Sequence, residues 1–169
     1  SAPSVHDGKI YLTTAIAPGE DQDAAGVDRE LATICLDAQT GEVIWHTKVF
    51  TQSGATAPKI HKKNSHASPT PLIAHNHIFV HFGHQGTACL RPDGEIVWTN
   101  RDFQYKPVHG NGGSPLVVGD KLIFSCDGPP EPFVVALNVR DGKVAWKTMR
   151  NTHASRPFSF CTPLLVESD

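Results

Sequence analysis

This sequence lacks long hydrophobic runs, a large excess of positive or negative charge, and paired cysteines. No apolar stretch approaches the roughly 20 residues that a membrane-spanning helix needs, so we predict no membrane span in this chain. The 15 basic and 17 acidic side chains give a formal net charge of -2. Nucleic acids bind strongly basic surfaces, and we therefore predict no nucleic-acid partner.

The cysteines are few and have no metal-binding spacing. Cys35, Cys89, Cys126 and Cys161 lie in or beside apolar runs, without a C-x-x-C motif or an adjacent Cys-Cys pair. Small unpaired cysteines in such surroundings are usually buried. We interpret them as buried free thiols in preference to a zinc site or a disulfide framework.

Helical periodicity is also scarce. The chain has 14 Gly and 13 Pro distributed among many short runs rich in Val, Ile and Phe, a composition typical of turn-rich all-β proteins. The 169 residues begin without Met and end as a new apolar run starts. We interpret the chain as a fragment of a longer protein.

An eleven-residue segment occurs in three related copies: CLDAQTGEVIW at 35–45, ACLRPDGEIVW at 88–98 and ALNVRDGKVAW at 136–146. In each copy a Thr-Gly or Asp-Gly pair separates two apolar runs, which is the pattern of a β-hairpin with a tight turn. Each copy ends in Trp, a ring large enough to cover a neighbouring sheet. We expect structural roles for these repeat residues: Trp45, Trp98, Trp146, Gly41, Gly94 and Gly142.

A Pro-containing opening segment recurs as well, with prolines at 3, 69, 115 and 163. A period near 47 residues, with one insertion, indicates a propeller or a solenoid. Four short strands can be placed in each unit, and four antiparallel strands form the blade of a β-propeller. We predict a partial all-β propeller of about three blades, divided as follows: blade 1 at about 2–50 with a loop insertion at 15–30, blade 2 at about 68–100, blade 3 at about 114–148, and the first strand of blade 4 at about 161–167.

The hairpin A-x-D-x-x-T-G-x-x-x-W, the S-x-P-L-x-V opening strand and the following G-D-K turn together resemble the repeat of the pyrroloquinoline-quinone (PQQ) β-propeller family, which includes PQQ-like members without cofactor. The resemblance covers essentially the whole chain and implies an extracytoplasmic location, periplasmic or at the cell surface. For the quinoprotein dehydrogenases it also implies a Trp floor under the quinone, a calcium ion, a catalytic Asp and often an adjacent Cys-Cys disulfide. This sequence has no such cysteine pair and no Trp outside the hairpins.

In propellers the loops between second and third strands share one rim with the passages between blades, and ligands usually bind there. On this rim we predict a candidate ligand site made of polar residues from several loops: Asn64, His66, His81, His84, His109, Asn111, Asp127 and Arg156. Its histidines could bind zinc, copper or iron, although no metal-binding motif supports this and loop hydrogen bonding explains them more simply.

Three functional hypotheses follow. The first is a non-catalytic binding or scaffold module whose partner is a protein, a polysaccharide or a small ligand. The second is a fragment of a PQQ-dependent alcohol or sugar dehydrogenase, the only case in which we expect PQQ and calcium as cofactors. The third is a His-rich metal site on the rim. Because a partial wheel leaves strand edges open, we also expect that the chain can self-associate through exposed blade edges.

Overall fold

The computed structural model describes residues 1–19, 26–151 and 158–167, and this part of the chain is built almost entirely from short strands. The single helical segment described is a 3-10 turn at Gly83–Gln85. No helix within the described ranges is long and apolar enough to cross a membrane. The strands are β1 (Ser4–His6), β2 (Lys9–Ile16), β3 (Arg29–Asp37), β4 (Val43–Gln52), β5 (Leu72–Ala74), β6 (His77–His81), β7 (Thr87–Leu90), β8 (Ile96–Asn100), β9 (Leu116–Val118), β10 (Lys121–Cys126), β11 (Phe133–Asn138) and β12 (Val144–Met149).

Each group of four consecutive strands forms a separate antiparallel sheet in which chain order and spatial order agree. The first sheet contains β1 to β4, the second β5 to β8 and the third β9 to β12. Four strands joined in this up-and-down order are the plan of a propeller blade. The predicted all-β class with four-stranded antiparallel blades is therefore confirmed.

Two segments differ from the sequence prediction. The strands on either side of the predicted insertion at 15–30 extend into it, since Ile16 of β2 pairs with Glu30 of β3. Residues 161–167 form no strand, although Ser114 N–H donates to Thr162 Oγ1 at 3.1 Å. In all three sheets the opening strand pairs with the strand that follows it, because a strand forms only with a hydrogen-bonded partner strand. Residues 161–167 have no such partner within the described ranges.

Two apolar cores hold the sheets together, one on each side of the second sheet. Side chains alternate between the faces of a strand, so Ile78 and Val80 of β6 pack toward the first sheet, whereas Phe79 packs toward the third. Since both faces of β6 are covered, its apolar run is continuous and does not alternate with polar residues. This packing explains why β6 and β7, the two inner strands of the second sheet, are the most completely buried strands.

Three of the cysteines lie within these cores as free thiols: Cys35, Cys89 and Cys126. Burial raises the pKa of the Cys89 and Cys126 thiols to about 12, because the thiolate loses its hydration. Cys161 is exposed, which corrects our interpretation of it as buried. It belongs to the strandless segment 161–167 and is not covered by a sheet.

The first and second sheets are joined by a contact between a tryptophan and a turn. Trp45 Nε1 donates a hydrogen bond to the carbonyl of Pro92 at 2.9 Å, and Thr47 Oγ1 donates to the carbonyl of Gly94 at 2.8 Å. A Cβ placed on Gly94 would lie only 2.8 Å from the indole of Trp45. The glycine is therefore needed for the close approach of the ring.

The second and third sheets repeat this arrangement. Trp98 Nε1 donates to the carbonyl of Val139 at 2.9 Å, and Asn100 Nδ2 donates to the carbonyl of Gly142 at 3.0 Å. A Cβ on Gly142 would lie 2.4 Å from the Trp98 ring. Trp146 occupies the same place in the third sheet but is 40% exposed, on a strand that is exposed along its whole length. Self-association through such an edge stays a prediction.

The second hairpin is offset by one residue from the other two. Trp45 pairs with Cys35 and Trp146 with Ala136, the first residues of their segments, whereas Trp98 pairs with Cys89, the second residue of its segment. Pro92 accounts for the difference, because proline favours the second position of a tight turn. Gly94 N–H accordingly donates to the carbonyl of Arg91, only three residues back.

We expect Trp98→Ala to lower the free energy of unfolding by about 3–5 kcal/mol, the usual range for deleting a buried aromatic side chain. Trp146→Ala, at the exposed equivalent position, is the matched control and should cost much less. Chemical denaturation followed by circular dichroism measures both. Equal losses in the two variants would contradict the docking role of Trp98.

Gly142→Ala and Gly41→Ala make a second matched pair. Both glycines have positive φ, at 68° and 74°, but a Cβ on Gly41 would meet nothing within 4 Å. Each variant should lose about 1–2 kcal/mol through the left-handed backbone, and only Gly142→Ala should lose more through the clash with Trp98. In a double-mutant cycle, Trp98→Ala should remove that additional loss; additive effects would contradict the contact.

Candidate functional site

The predicted site residues that the structure describes lie in the loops at one edge of the molecule, except His81, which ends the adjoining strand β6. In an antiparallel sheet, the loop between the second and third strands leaves from the same edge as the connections to the neighbouring sheets. We call this edge the rim face; it comprises the loops 82–86 and 127–132 and the connections 53–71 and 101–115. Arg156 lies outside the described residues.

His81, at the end of β6, is part of the core and does not face solvent. It is 2% exposed, shares a hydrogen bond between Nδ1 and Thr87 Oγ1 at 2.9 Å, and stacks on Phe124 with ring centroids 4.3 Å apart. Burial, with a smaller contribution from the nearby His84, lowers the pKa of His81 to about 3. At neutral pH this imidazole is uncharged.

His84 lies in the 3-10 turn and belongs to a hydrogen-bonded cluster. Its Nδ1 is 3.4 Å from Asn111 Nδ2, and Asn111 Oδ1 accepts a hydrogen bond from the Tyr105 hydroxyl at 2.8 Å. Gly83 makes room for the cluster, because a Cβ there would overlap the Asn111 side chain. Burial lowers the pKa of His84 to about 4, with smaller contributions from His66 and Arg101.

Asn64 ties the two inter-sheet connections together. Its Nδ2 donates to the backbone carbonyls of His109 at 2.9 Å and Asn111 at 3.2 Å. His61 N–H also donates to the His109 carbonyl at 3.2 Å, next to a parallel bridge between Ile60 and His109. The connections therefore form one preformed surface.

Asp127 is 9% exposed and forms an ion pair with Arg150 at the end of the third sheet. Together with His81 and Asn111 it lines a cavity of about 10 Å³. This is space for about one water molecule, so the cavity is too small for an organic ligand. Five of the predicted residues thus have structural partners inside the protein: Asn64, His81, His84, Asn111 and Asp127.

A larger opening on the rim face includes residues that the sequence analysis missed. A cleft of about 450 Å³ is lined by His61, Lys63, Asn64, His109, Gly112 and Phe160. Only Asn64 and His109 were among the predicted site residues. The missed signal is the stretch K-I-H-K-K at 59–63, three lysines in a connection that contains no acidic residue.

Aromatic rings form one wall of this cleft. The His109 ring lies 5.7 Å from His61 and 5.3 Å from Phe158, and Phe158 lies 5.9 Å from Phe160, all with edge-to-face geometry. Such pairs are favoured by the ring quadrupoles. Phe160 is nevertheless 46% exposed, which leaves an aromatic face available to a ligand.

The two tryptophans docked on neighbouring sheets are not placed to hold PQQ at the rim face. Trp45 and Trp98 are engaged with turns at the edge opposite the rim face, so neither indole can form a floor for a quinone there. Within the described ranges no three His, Cys, Asp or Glu side chains are close enough to hold a metal ion together. The side chains that converge on the rim face instead suit hydrogen bonding and charge recognition.

The buried His81 makes stability dependent on pH. Its pKa of about 3 lies below the ordinary value of about 6.5, so the unfolded chain binds a proton that the folded chain does not bind. As the pH falls from about 6.5, the free energy of unfolding should decrease by up to about 1.4 kcal/mol per pH unit through this group. His81→Gln should remove that part of the slope in denaturation curves between neutral and acidic pH. His6→Gln, at an exposed position, is the control, and an unchanged slope in His81→Gln would contradict the assignment.

Over residues 2–158 the chain matches the family model described as outer membrane protein assembly factor BamB. No curated protein gives a significant match. The match includes all three sheets and the connections that form the rim face.

Solved structures with the same fold include two dehydrogenases and a BamB protein. A europium-containing methanol dehydrogenase has a TM-score of 0.61 at 18% identity, covering 87% of this chain and 24% of that chain. The quinohemoprotein alcohol dehydrogenase ADHIIG from Pseudomonas putida HK5 has a TM-score of 0.59 at 17% identity, covering 87% and 20%. BamB from Moraxella catarrhalis has a TM-score of 0.53 at 17% identity, covering 86% and 44%.

This chain therefore spans less than half the length of each of these three proteins. At identities of 17–18% the likeness shows a common β-propeller fold. The family match over residues 2–158 shows family membership in addition to the fold. From it we conclude that this chain belongs to the PQQ-like repeat family described as outer membrane protein assembly factor BamB.

Proposed function

We propose that this chain is a non-catalytic part of an extracytoplasmic β-propeller that binds a partner protein through its rim face. One observation carries the proposal: the connections 53–71 and 101–115 are fixed to each other by the Asn64 and His61 hydrogen bonds and enclose an open cleft. A preformed surface loses little conformational entropy when it binds. The preformed rim face is therefore suited to recognising a partner protein.

The chemistry of the rim face also favours binding over catalysis. A general base works best when its pKa is near the working pH, whereas burial places the pKa values of His81 and His84 at about 3 and about 4. Asp127 is held in an ion pair with Arg150. These groups stabilise the loops and leave the exposed side chains to make contacts.

The family description and the BamB neighbour support a protein partner and an extracytoplasmic location, because the description names a factor in outer membrane protein assembly and the neighbour bears the same name, BamB. The dehydrogenase neighbours share the same fold, and a fold alone does not determine function. A fragment of a quinoprotein dehydrogenase is therefore the alternative that experiment has to separate from our proposal.

Photo-crosslinking of the full-length protein in the cells that produce it tests the proposal. A benzophenone amino acid is placed at Lys59 or Lys106, exposed on the two connections, and at Lys143 in a turn on the opposite edge. We expect Lys59 and Lys106 to give the same protein adduct, found in the extracytoplasmic fraction, and Lys143 to give none. Adducts to polysaccharide alone, or equal adducts from all three positions, would contradict it.

The same purified full-length protein is then incubated with PQQ and calcium and assayed for dye-linked oxidation of alcohols and glucose. The proposal expects no turnover above that of the protein without PQQ. PQQ-dependent turnover would establish the dehydrogenase alternative, whatever the crosslinks show.

A further inference from the structure

We propose that the rim cleft binds an acidic segment of the partner protein, with an aromatic side chain of that segment against Phe160 and its carboxylates at Lys63 and the neighbouring lysines. This inference rests on the proposed function and specifies the chemistry of the partner. It depends on the shape of the cleft, on its unpaired charge and on the fixed position of its walls.

The shape of the cleft fits one or two side chains of a bound peptide. Its volume of about 450 Å³ falls within the range of about 300–1,000 Å³ that is usual for ligand pockets. Phe160 offers an exposed aromatic face, and the rings of His61 and His109 continue the wall. Aromatic anchors inserted into such pockets contribute most of the binding energy in many protein interfaces.

The charge of the cleft selects an anionic partner. Within the described part of the chain, no carboxylate lies within ion-pair distance of Lys59, Lys62 or Lys63. In contrast, Lys121 pairs with Asp120 and Lys143 with Asp141. The connection 53–71 contains these three lysines and no acidic residue. Its positive charge is thus available to a ligand, although the whole chain has a formal charge of -2.

The neighbouring carboxylates do not neutralise this cluster. Asp127 is paired with Arg150 inside the protein, and within the described residues no ion pair joins Asp102 to these lysines. Complementary charge at an interface raises the association rate and selects the partner more than it raises affinity. A segment with several Asp or Glu residues is the simplest partner for three lysines within five residues of chain.

The walls are held in place before any ligand binds. The His109 carbonyl accepts hydrogen bonds from both Asn64 Nδ2 and His61 N–H, and this residue has a φ of 68°. Non-glycine residues adopt that conformation only where their surroundings hold them there. The connection that carries Lys63 is therefore fixed in place, and Lys63 and Phe160 line the same cleft.

A metal ion or a neutral sugar fits less well. The positive charge of Lys63 repels a cation from the imidazoles of His61 and His109, which line the same cleft. A neutral sugar could stack on Phe160 but would gain nothing from the lysines. An anionic polysaccharide shares the charge with an acidic peptide but lacks the aromatic side chain, so the experiment compares the two.

The test measures fluorescence anisotropy of a labelled peptide of sequence D-E-F-D-E with the full-length protein. Two control peptides, N-Q-F-N-Q and D-E-A-D-E, remove the charge and the aromatic ring, respectively. We expect the first peptide to bind most tightly and its affinity to fall with added salt, because exposed ion pairs are screened. Equal binding of N-Q-F-N-Q would overturn the inference.

Variants locate the binding to the cleft. Lys63→Gln should weaken D-E-F-D-E about three- to fivefold, as expected for one exposed ion pair, and Phe160→Ala about tenfold, as expected for an aromatic anchor. Lys143→Gln, on the opposite edge, should leave the affinity unchanged. Both lining residues are exposed, and thermal unfolding checks that the variants fold. Unchanged affinity in Lys63→Gln and Phe160→Ala would also overturn the inference.

A competition experiment distinguishes a protein partner from a polysaccharide, and comparison with the crosslinking result distinguishes the two proposals. Alginate, as an anionic polysaccharide, should displace the labelled peptide much less than unlabelled D-E-F-D-E does at equal charge concentration; displacement by alginate as strong as that by the unlabelled peptide would favour a polysaccharide and overturn the inference. If Lys59 and Lys106 form protein crosslinks but D-E-F-D-E does not bind, the acidic-segment inference fails while the proposed function stands. If neither occurs, both fail.

Discussion

The hydrogen bond from a tryptophan to the turn of the next sheet is the contact on which the rest of this structure depends. At Trp45 and Trp98 the indole N–H finds a backbone carbonyl at 2.9 Å, and the ring lies directly over a turn glycine. Glycine at this place allows both the positive φ of the turn and the approach of the ring, two requirements that no other residue meets together. In each repeat of about 47 residues, one Trp side chain and one turn glycine, which has no Cβ, can therefore fix the distance between neighbouring sheets.

Fixed spacing between sheets also determines where the connections lie. With the hairpin turns engaged at one edge, the passages between sheets must cross the other edge, where Asn64 joins the connections through the His109 and Asn111 carbonyls. The rim face is thus a consequence of docking at the opposite edge, and its cleft is formed without a ligand. Polar residues on this face divide into two groups, those that bond to the loops and those that remain open to solvent.

The fold could be predicted because its information is repeated. Hairpins ending at Trp45, Trp98 and Trp146 show the same pattern, so an error of one or two residues at a strand end leaves the architecture unchanged. The one-residue offset of the second hairpin escaped prediction, since the motif aligns without a gap and only the turn geometry of Pro92 separates it. Periodicity determines topology, whereas local turn chemistry determines register.

The candidate site was harder to predict, because membership of a rim loop does not determine where a side chain points. His81 and His84 are three residues apart, yet the first ends a buried strand and the second follows a glycine at φ 61° that turns the chain. Both imidazoles lose hydration, and the resulting fall in their pKa values leaves them uncharged at neutral pH. The positive charge in the connection 53–71 then belongs to its exposed lysines, whose position depends on a loop path that periodicity does not encode. For this reason recognition by the rim face has to be derived from the exposed cations and aromatic rings and not from the histidines that dominate its sequence.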